Sequence, residues 1–138
     1  LSYGDNTKRQ LEIKLRSRGY GELSAEAAEY LADRGYIDEE SILERFVESL
    51  AGTKKYGPAR IRQEVSRKGF SREIIESRLC ELIDRTDFDE NLGGLVDKKF
   101  DFGRYGDRKY KETFIASMYR LGYTPSDTIK VLKQKREE

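Results

Sequence analysis

A basic residue, a glycine and an aromatic close one apparent helix after another in this 138-residue chain. The phrase stands at Arg18-Gly19-Tyr20, Arg34-Gly35-Tyr36 and Lys68-Gly69-Phe70, and again at Leu121-Gly122-Tyr123 with leucine in the basic place. A glycine just past a helix end lets the backbone turn left-handed, and a cation in the last turn meets the exposed carbonyls. The phrase is therefore punctuation. It returns after 50 residues from Gly19 to Gly69 and after 53 from Gly69 to Gly122, the mark of an internal repeat. The expected fold is all-α: tandem three-helix repeats in an elongated, curved body.

Helical periodicity and end signals place helices near Lys8–Arg18, Ser24–Arg34, Glu39–Thr53, Pro58–Lys68, Arg72–Arg85, Phe88–Phe100, Asp107–Leu121 and Pro125–Lys135, and no segment reads as a strand. Asp38, Ser71 and Thr124 stand as N-caps, with Ile37 and Ile42 stapled across the first, Phe70 and Ile75 across the second, and Pro125 following the third. Apolar stripes fall at Leu11 and Leu15, at Ile42, Phe46 and Leu50, at Ile61 and Val65, at Ile75, Leu79, Leu82 and Ile83, and at Ile115, Met118 and Tyr119. Each stripe is narrow and needs neighbours, which stacking supplies. Three repeats are expected, at 1–36, 37–86 and 87–138. The chain opens at Leu1 without Met, so the first is expected to be incomplete. Gly93 and Gly94 suggest a kink or late start in the sixth helix, and 101–106 reads as a mobile connector without caps.

Charge is nearly balanced, 27 Lys and Arg against 26 Asp and Glu, but it is segregated. Glu22 to Glu48 carries nine acids against Arg34 and Arg45, whereas Lys54 to Arg78 has a basic surplus of five. Such clustering creates local fields that the sum conceals, although helical repeats also carry charge unevenly with no binding role. One cysteine, Cys80, leaves no internal disulfide and falls among Ile75, Leu79 and Ile83, so a packed core thiol is expected. No stretch has the length of a signal or membrane segment, and a cytoplasmic monomer is expected.

Without histidine there is no triad, no Cys/His dyad and no ordinary zinc cluster, so no enzyme, metal or cofactor is expected. Three lookalikes fail on their working groups. Gly52 to Gly57 has phosphate-loop spacing, but Pro58 and Ala59 stand where Lys and Ser or Thr must follow. Asp87, Asp89 and Asn91 begin a calcium loop, but Leu92 replaces its glycine and Lys98 its glutamate. Asp101-Phe102-Gly103 spells a kinase triplet in a chain too short for a kinase. The paired Glu39 and Glu40 read as the charged first turn of a helix.

What remains is Lys54 to Ser71: a basic helix end, a tight Gly57-Pro58 entry, and a helix with Ile61 and Val65 inward and Arg60, Arg67 and Lys68 able to project outward. Tyr56-Gly57-Pro58-Ala59-Arg60-Ile61-Arg62-Gln63-Glu64, with Lys68, Gly69 and Phe70 before Ser71, resembles the central signature of the RecX family of bacterial regulatory proteins. Arg34-Gly35-Tyr36-Ile37-Asp38-Glu39 resembles that family's entry to the same repeat, with Ile37 for the usual Leu and Glu39 for the second Asp. Phe114 and Tyr119-Arg120-Leu121-Gly122-Tyr123 resemble the end of its last repeat, though Leu121 interrupts the basic pattern.

The resemblance implies a protein that binds the RecA recombinase, lies in the groove of its filament on DNA, and restrains filament growth, ATP hydrolysis, strand exchange and repressor self-cleavage by occupancy. The expected contact residues are Lys54, Lys55, Tyr56, Arg60, Arg62, Arg67 and Lys68, with Lys98, Lys99, Arg104, Lys109 and Lys111. Tyr105 stands beside the second group; interhelix packing suits both tyrosines better than partner contact does. Weak direct DNA contact is compatible with this surface. The competing readings are a helix-turn-helix DNA-binding module acting without RecA and a helical scaffold for some other partner.

Overall fold

A computed structural model describes residues 7–33 and 38–137. Its α-helices are α1 (Lys8–Leu15), α2 (Leu23–Asp33), α3 (Glu39–Gly52), α4 (Pro58–Lys68), α5 (Arg72–Asp84), α6 (Phe88–Lys99), α7 (Arg108–Leu121) and α8 (Pro125–Arg136), with a π turn at Arg16–Tyr20 and a 3-10 turn at Phe102–Arg104. No strand occurs among the described residues. The Arg34-Gly35-Tyr36 phrase, the end of the second expected helix and the Ile37 staple lie outside them.

Helix starts follow from side chains that accept otherwise orphaned N–H groups. Thr7 and Gln10 form a reciprocal capping box on α1. Asp38 accepts from Ser41 N at 3.2 Å, Ser71 from Ile74 N at 3.3 Å, and Thr124 from Asp127 N at 3.1 Å. The α1 helix ends earlier than its periodicity suggests, because the chain widens into the π turn before Gly19 goes left-handed at φ 93°.

The helices form two compact units. Unit 1 comprises Leu1–Val47 and Gln63–Ile83, and unit 2 comprises Glu48–Arg62 and Asp84–Glu138, so α3 and α4 each contribute one part to either. In unit 1, α1 packs on α2, and the buried apolar set includes Leu11, Ala28, Leu43, Val47, Val65 and Leu79. Glu39 ties this unit together: its carboxylate accepts from Lys8 N at 3.3 Å and from Ser71 N at 3.2 Å, at the starts of α1 and α5. In unit 2, α6 and α7 both pack on α8 around Leu92, Val96, Phe100, Met118 and Leu132.

Four expectations are corrected. Cys80 is exposed, because Leu79, Leu82 and Ile83 take the buried stripe of α5 and leave the next position facing solvent. Tyr119 is 66% exposed while Phe114 and Met118 fill the core, since the inward face of α7 is set by a four-residue step from Phe114. The connector is an ordered turn: Asp101 accepts from Gly103 N at 2.9 Å, and Phe102 and Tyr105 pack against Phe100. The α6 helix runs unbroken through Gly93 and Gly94, and Gly93 is buried where the Lys135 side chain crosses to pair with Asp97 at 2.9 Å.

Candidate partner-binding surface

The Tyr56 to Arg62 signature is built around a backbone junction in unit 2. Helix α7 ends in a left-handed cap at Gly122, φ 106°, with Tyr123 N–H returning to Met118 O at 3.0 Å. Against that end sits the first turn of α4. Gly57 N–H donates to Leu121 O at 2.7 Å, Ala59 N–H reaches Gly122 O at 3.4 Å, and the Arg60 guanidinium donates to Arg120 O at 3.0 Å. Donors orphaned at one helix start thus meet acceptors orphaned at another helix end.

Tyr123 completes the junction. Its hydroxyl donates to Lys55 O at 2.8 Å, where the chain passes through a left-handed residue at φ 58°. Burial pushes the Tyr123 hydroxyl up to about 12. Arg60 also lies over the Tyr56 ring, 4.5 Å from its centroid. Arg60 and Tyr56 therefore hold the junction, where the sequence alone suggested an outward cation beside an aromatic contact.

The remaining expected residues fall into separate settings. Arg67 and Lys68 belong to unit 1, where Arg67 pairs with Glu64 at 3.6 Å and Lys68 lies over Phe46 at 5.2 Å. The adjacent Lys98 and Lys99 face different hollows of unit 2. Lys98 lines an open hollow of about 920 Å³ with Lys55 and the carboxylates of Asp87, Asp89, Glu90 and Asp97. Lys99 lines a groove of about 460 Å³ with Arg60 and Arg120, over a floor of Phe114, Met118 and Leu121. Lys54, Arg62 and Lys109 are exposed.

Around Phe100 the cations cover rings. Arg104 stands 4.2 Å from the Tyr110 centroid, and its guanidinium also pairs with Asp107 at 3.3 Å. Lys111 and Arg136 stand 4.2 and 4.6 Å from the Tyr105 centroid, while Tyr105 stacks on Phe102 at 6.3 Å. Arg120 and Arg136 were missed as members of this surface, although the run Lys130, Lys133, Lys135, Arg136 at the end of α8 is visible in the sequence. By charge the units differ: unit 2 holds sixteen Lys and Arg against twelve Asp and Glu, a formal +4, and unit 1 is correspondingly −3.

Comparison with known proteins decides the family. The regulatory protein RecX of Pseudomonas putida is 35% identical over 109 residues, covering 78% of this chain and 75% of that protein. The chain belongs to the RecX family. Residues 38–79 match the family model described as RecX, second three-helix domain. The regulatory protein RecX of Escherichia coli O1:K1 is 36% identical over 59% of this chain, and the chain spans 55% of that relative's length. A crystal structure of RecX from Lactobacillus salivarius aligns with a TM-score of 0.74 at 24% identity, over 99% of this chain and 89% of that one. That likeness shows the all-α helical-repeat fold, and the family resemblance read from the Tyr56 signature holds.

Among the described residues no group of three or more ligating side chains could hold a metal, and no helix is long and apolar enough to cross a membrane.

Proposed function

We propose that this RecX-family chain binds the RecA recombinase filament in the cytoplasm and restrains ATP hydrolysis, strand exchange and coprotease function, either by occupying the filament groove or by blocking extension. The observation that carries the reading is the match to a relative named as a regulatory protein across three quarters of its length. It acts by occupancy and needs no covalent step or cofactor. The repeat boundaries at residues 37 and 87 belong to the same proposal, supported by the second three-helix domain matched at 38–79.

The contact residues are Lys54, Lys55, Arg62, Lys98, Lys99, Lys109 and Lys111 of unit 2 and, by themselves on unit 1, Arg67 and Lys68. Charge segregation supports this assignment, since a +4 unit presents a local field that a near-neutral chain would otherwise lack. Direct DNA recognition has less support, because Tyr56, Tyr105 and Tyr110 each already carry a cation on the ring and offer poor stacking platforms for bases.

The test is RecA ATPase on single-stranded DNA, titrated with this chain at two salt concentrations. Inhibition that weakens with salt, and weakens further in Lys54→Glu/Lys109→Glu, is the expected result. No inhibition at several-fold excess over RecA overturns the reading, and a gel shift on duplex DNA without RecA would replace it with the DNA-binding module.

A further inference from the structure

The Lys99 groove is unlike the rest of the basic surface. Its floor is apolar, formed by Phe114, Met118 and Leu121, and its cations stand at the rim. Among the described residues no acidic side chain lines it, in contrast to the Lys98 hollow, where four carboxylates oppose the lysines. Lys99 has neither an ion pair nor a hydrogen bond from its ammonium among the described residues, and it is exposed. Arg120 spends one guanidinium nitrogen on Ser117 Oγ at 3.3 Å and is likewise exposed.

Such a groove selects by two properties at once. A volume of about 460 Å³ accommodates a large apolar side chain and its immediate backbone. The cationic rim then favours negative charge on either side of that anchor. A nucleic-acid strand fits less well, because of the two rings in the lining Phe114 is buried in the core, and Tyr110 is covered by Arg104 while its hydroxyl accepts from Asp101 N at 2.9 Å.

We propose that this groove, with Phe114, Met118 and Leu121 beneath Lys99 and Arg120, binds an acidic peptide segment of a partner protein through one large apolar anchor residue. The inference rests on the reading of unit 2 as the contact surface for a negatively charged partner. Thr113 forms part of the wall and is exposed, so its replacement by a bulky residue fills the groove without entering the core.

The experiment is an NMR titration of the full chain with an acetylated ten-residue peptide of aspartate and glutamate carrying one central phenylalanine. Amide shifts should concentrate at Lys99, Thr113, Ser117 and Leu121. The peptide with alanine in place of phenylalanine should bind at least fivefold more weakly, as should Lys99→Glu, while Thr113→Trp should lose at least tenfold with unchanged circular dichroism. Equal affinity for the alanine peptide, or shifts confined to other basic residues, overturns the proposal. So does tighter binding of a ten-residue oligodeoxythymidylate at the same amides, which would make the groove a nucleic-acid site. The titration contains no RecA, so its failure leaves the ATPase result standing, and a negative ATPase result leaves the groove to be judged by the titration.

Discussion

Gly57 and Gly122 meet backbone to backbone: a Cβ on Gly122 would lie 2.6 Å from Arg60 N and 2.8 Å from Gly57 O, and one on Gly57 would strike the Gly122 carbonyl. Two glycines 65 residues apart are thus fixed by a single contact. The same contact joins two of the stretches that resemble the family, because the Tyr56 signature and the Leu121-Gly122-Tyr123 phrase are opposite sides of one junction.

Gly122→Ala should therefore destabilise the chain by about 2–4 kcal/mol, from left-handed strain plus displaced backbone. Gly94→Ala is the opposite case. Its added methyl meets open space within a continuous helix, so the variant should gain about 0.5–1 kcal/mol. Urea denaturation of both variants checks the pair, and a similar loss at both positions would refute the junction as the cause.

Tyr123 makes stability depend on alkaline pH. Its folded pKa lies above the unfolded value of 10.0, at about 12, so the unfolded chain releases the proton first. The stabilisation is complete below about pH 10 and is lost as pH rises toward 12. Melting temperatures across pH 8–12 should fall more steeply in the parent than in Tyr123→Phe. That variant should also be weaker near neutral pH by about 1 kcal/mol, because it leaves Lys55 O without its donor.

Asp107 and Asp38 should both titrate below 3.8 by carboxyl NMR. The Asp107 carboxylate is held down first by the Tyr110 N–H and then by Arg104, whereas Asp38 is held down first by the Ser41 hydroxyl and then by the Ser41 N–H. Each contributes stability that is present above its unfolded pKa and lost as pH falls through the lower folded one. Arg104→Ala should raise the Asp107 midpoint and leave that of Asp38 unchanged.

Cys80 should react with a thiol reagent in the native chain to one equivalent, without loss of helicity, because it is exposed on α5. Protection until denaturant is added would return it to the core.

Much of the helical architecture was legible in advance. Asp38, Ser71 and Thr124 act on N–H groups three residues away, and Gly69 and Gly122 take the left-handed turns their positions announced, at φ 97° and 106°. The turn at 101–106 was not legible because much of what orders it, beside the Asp101 cap, is the packing of Phe102 and Tyr105 on Phe100. The basic surface was only half legible. Lys54, Arg62, Lys99 and Lys109 are exposed as charge alone suggests, but Arg60 turns back to Arg120 O, and Lys98 parts from Lys99 because successive residues on a helix point about 100° apart.

By itself the sequence determined the helices, most of the ends that can be compared and the family, because caps, left-handed glycines and periodic apolar stripes act within a few residues of the chain. Only tertiary structure decided which cations stay available and which are consumed. The Arg136 contact with Tyr105, the Gly57–Gly122 contact and the Lys99 groove each join residues distant in sequence, and side-chain direction there is set by neighbours that no local pattern names.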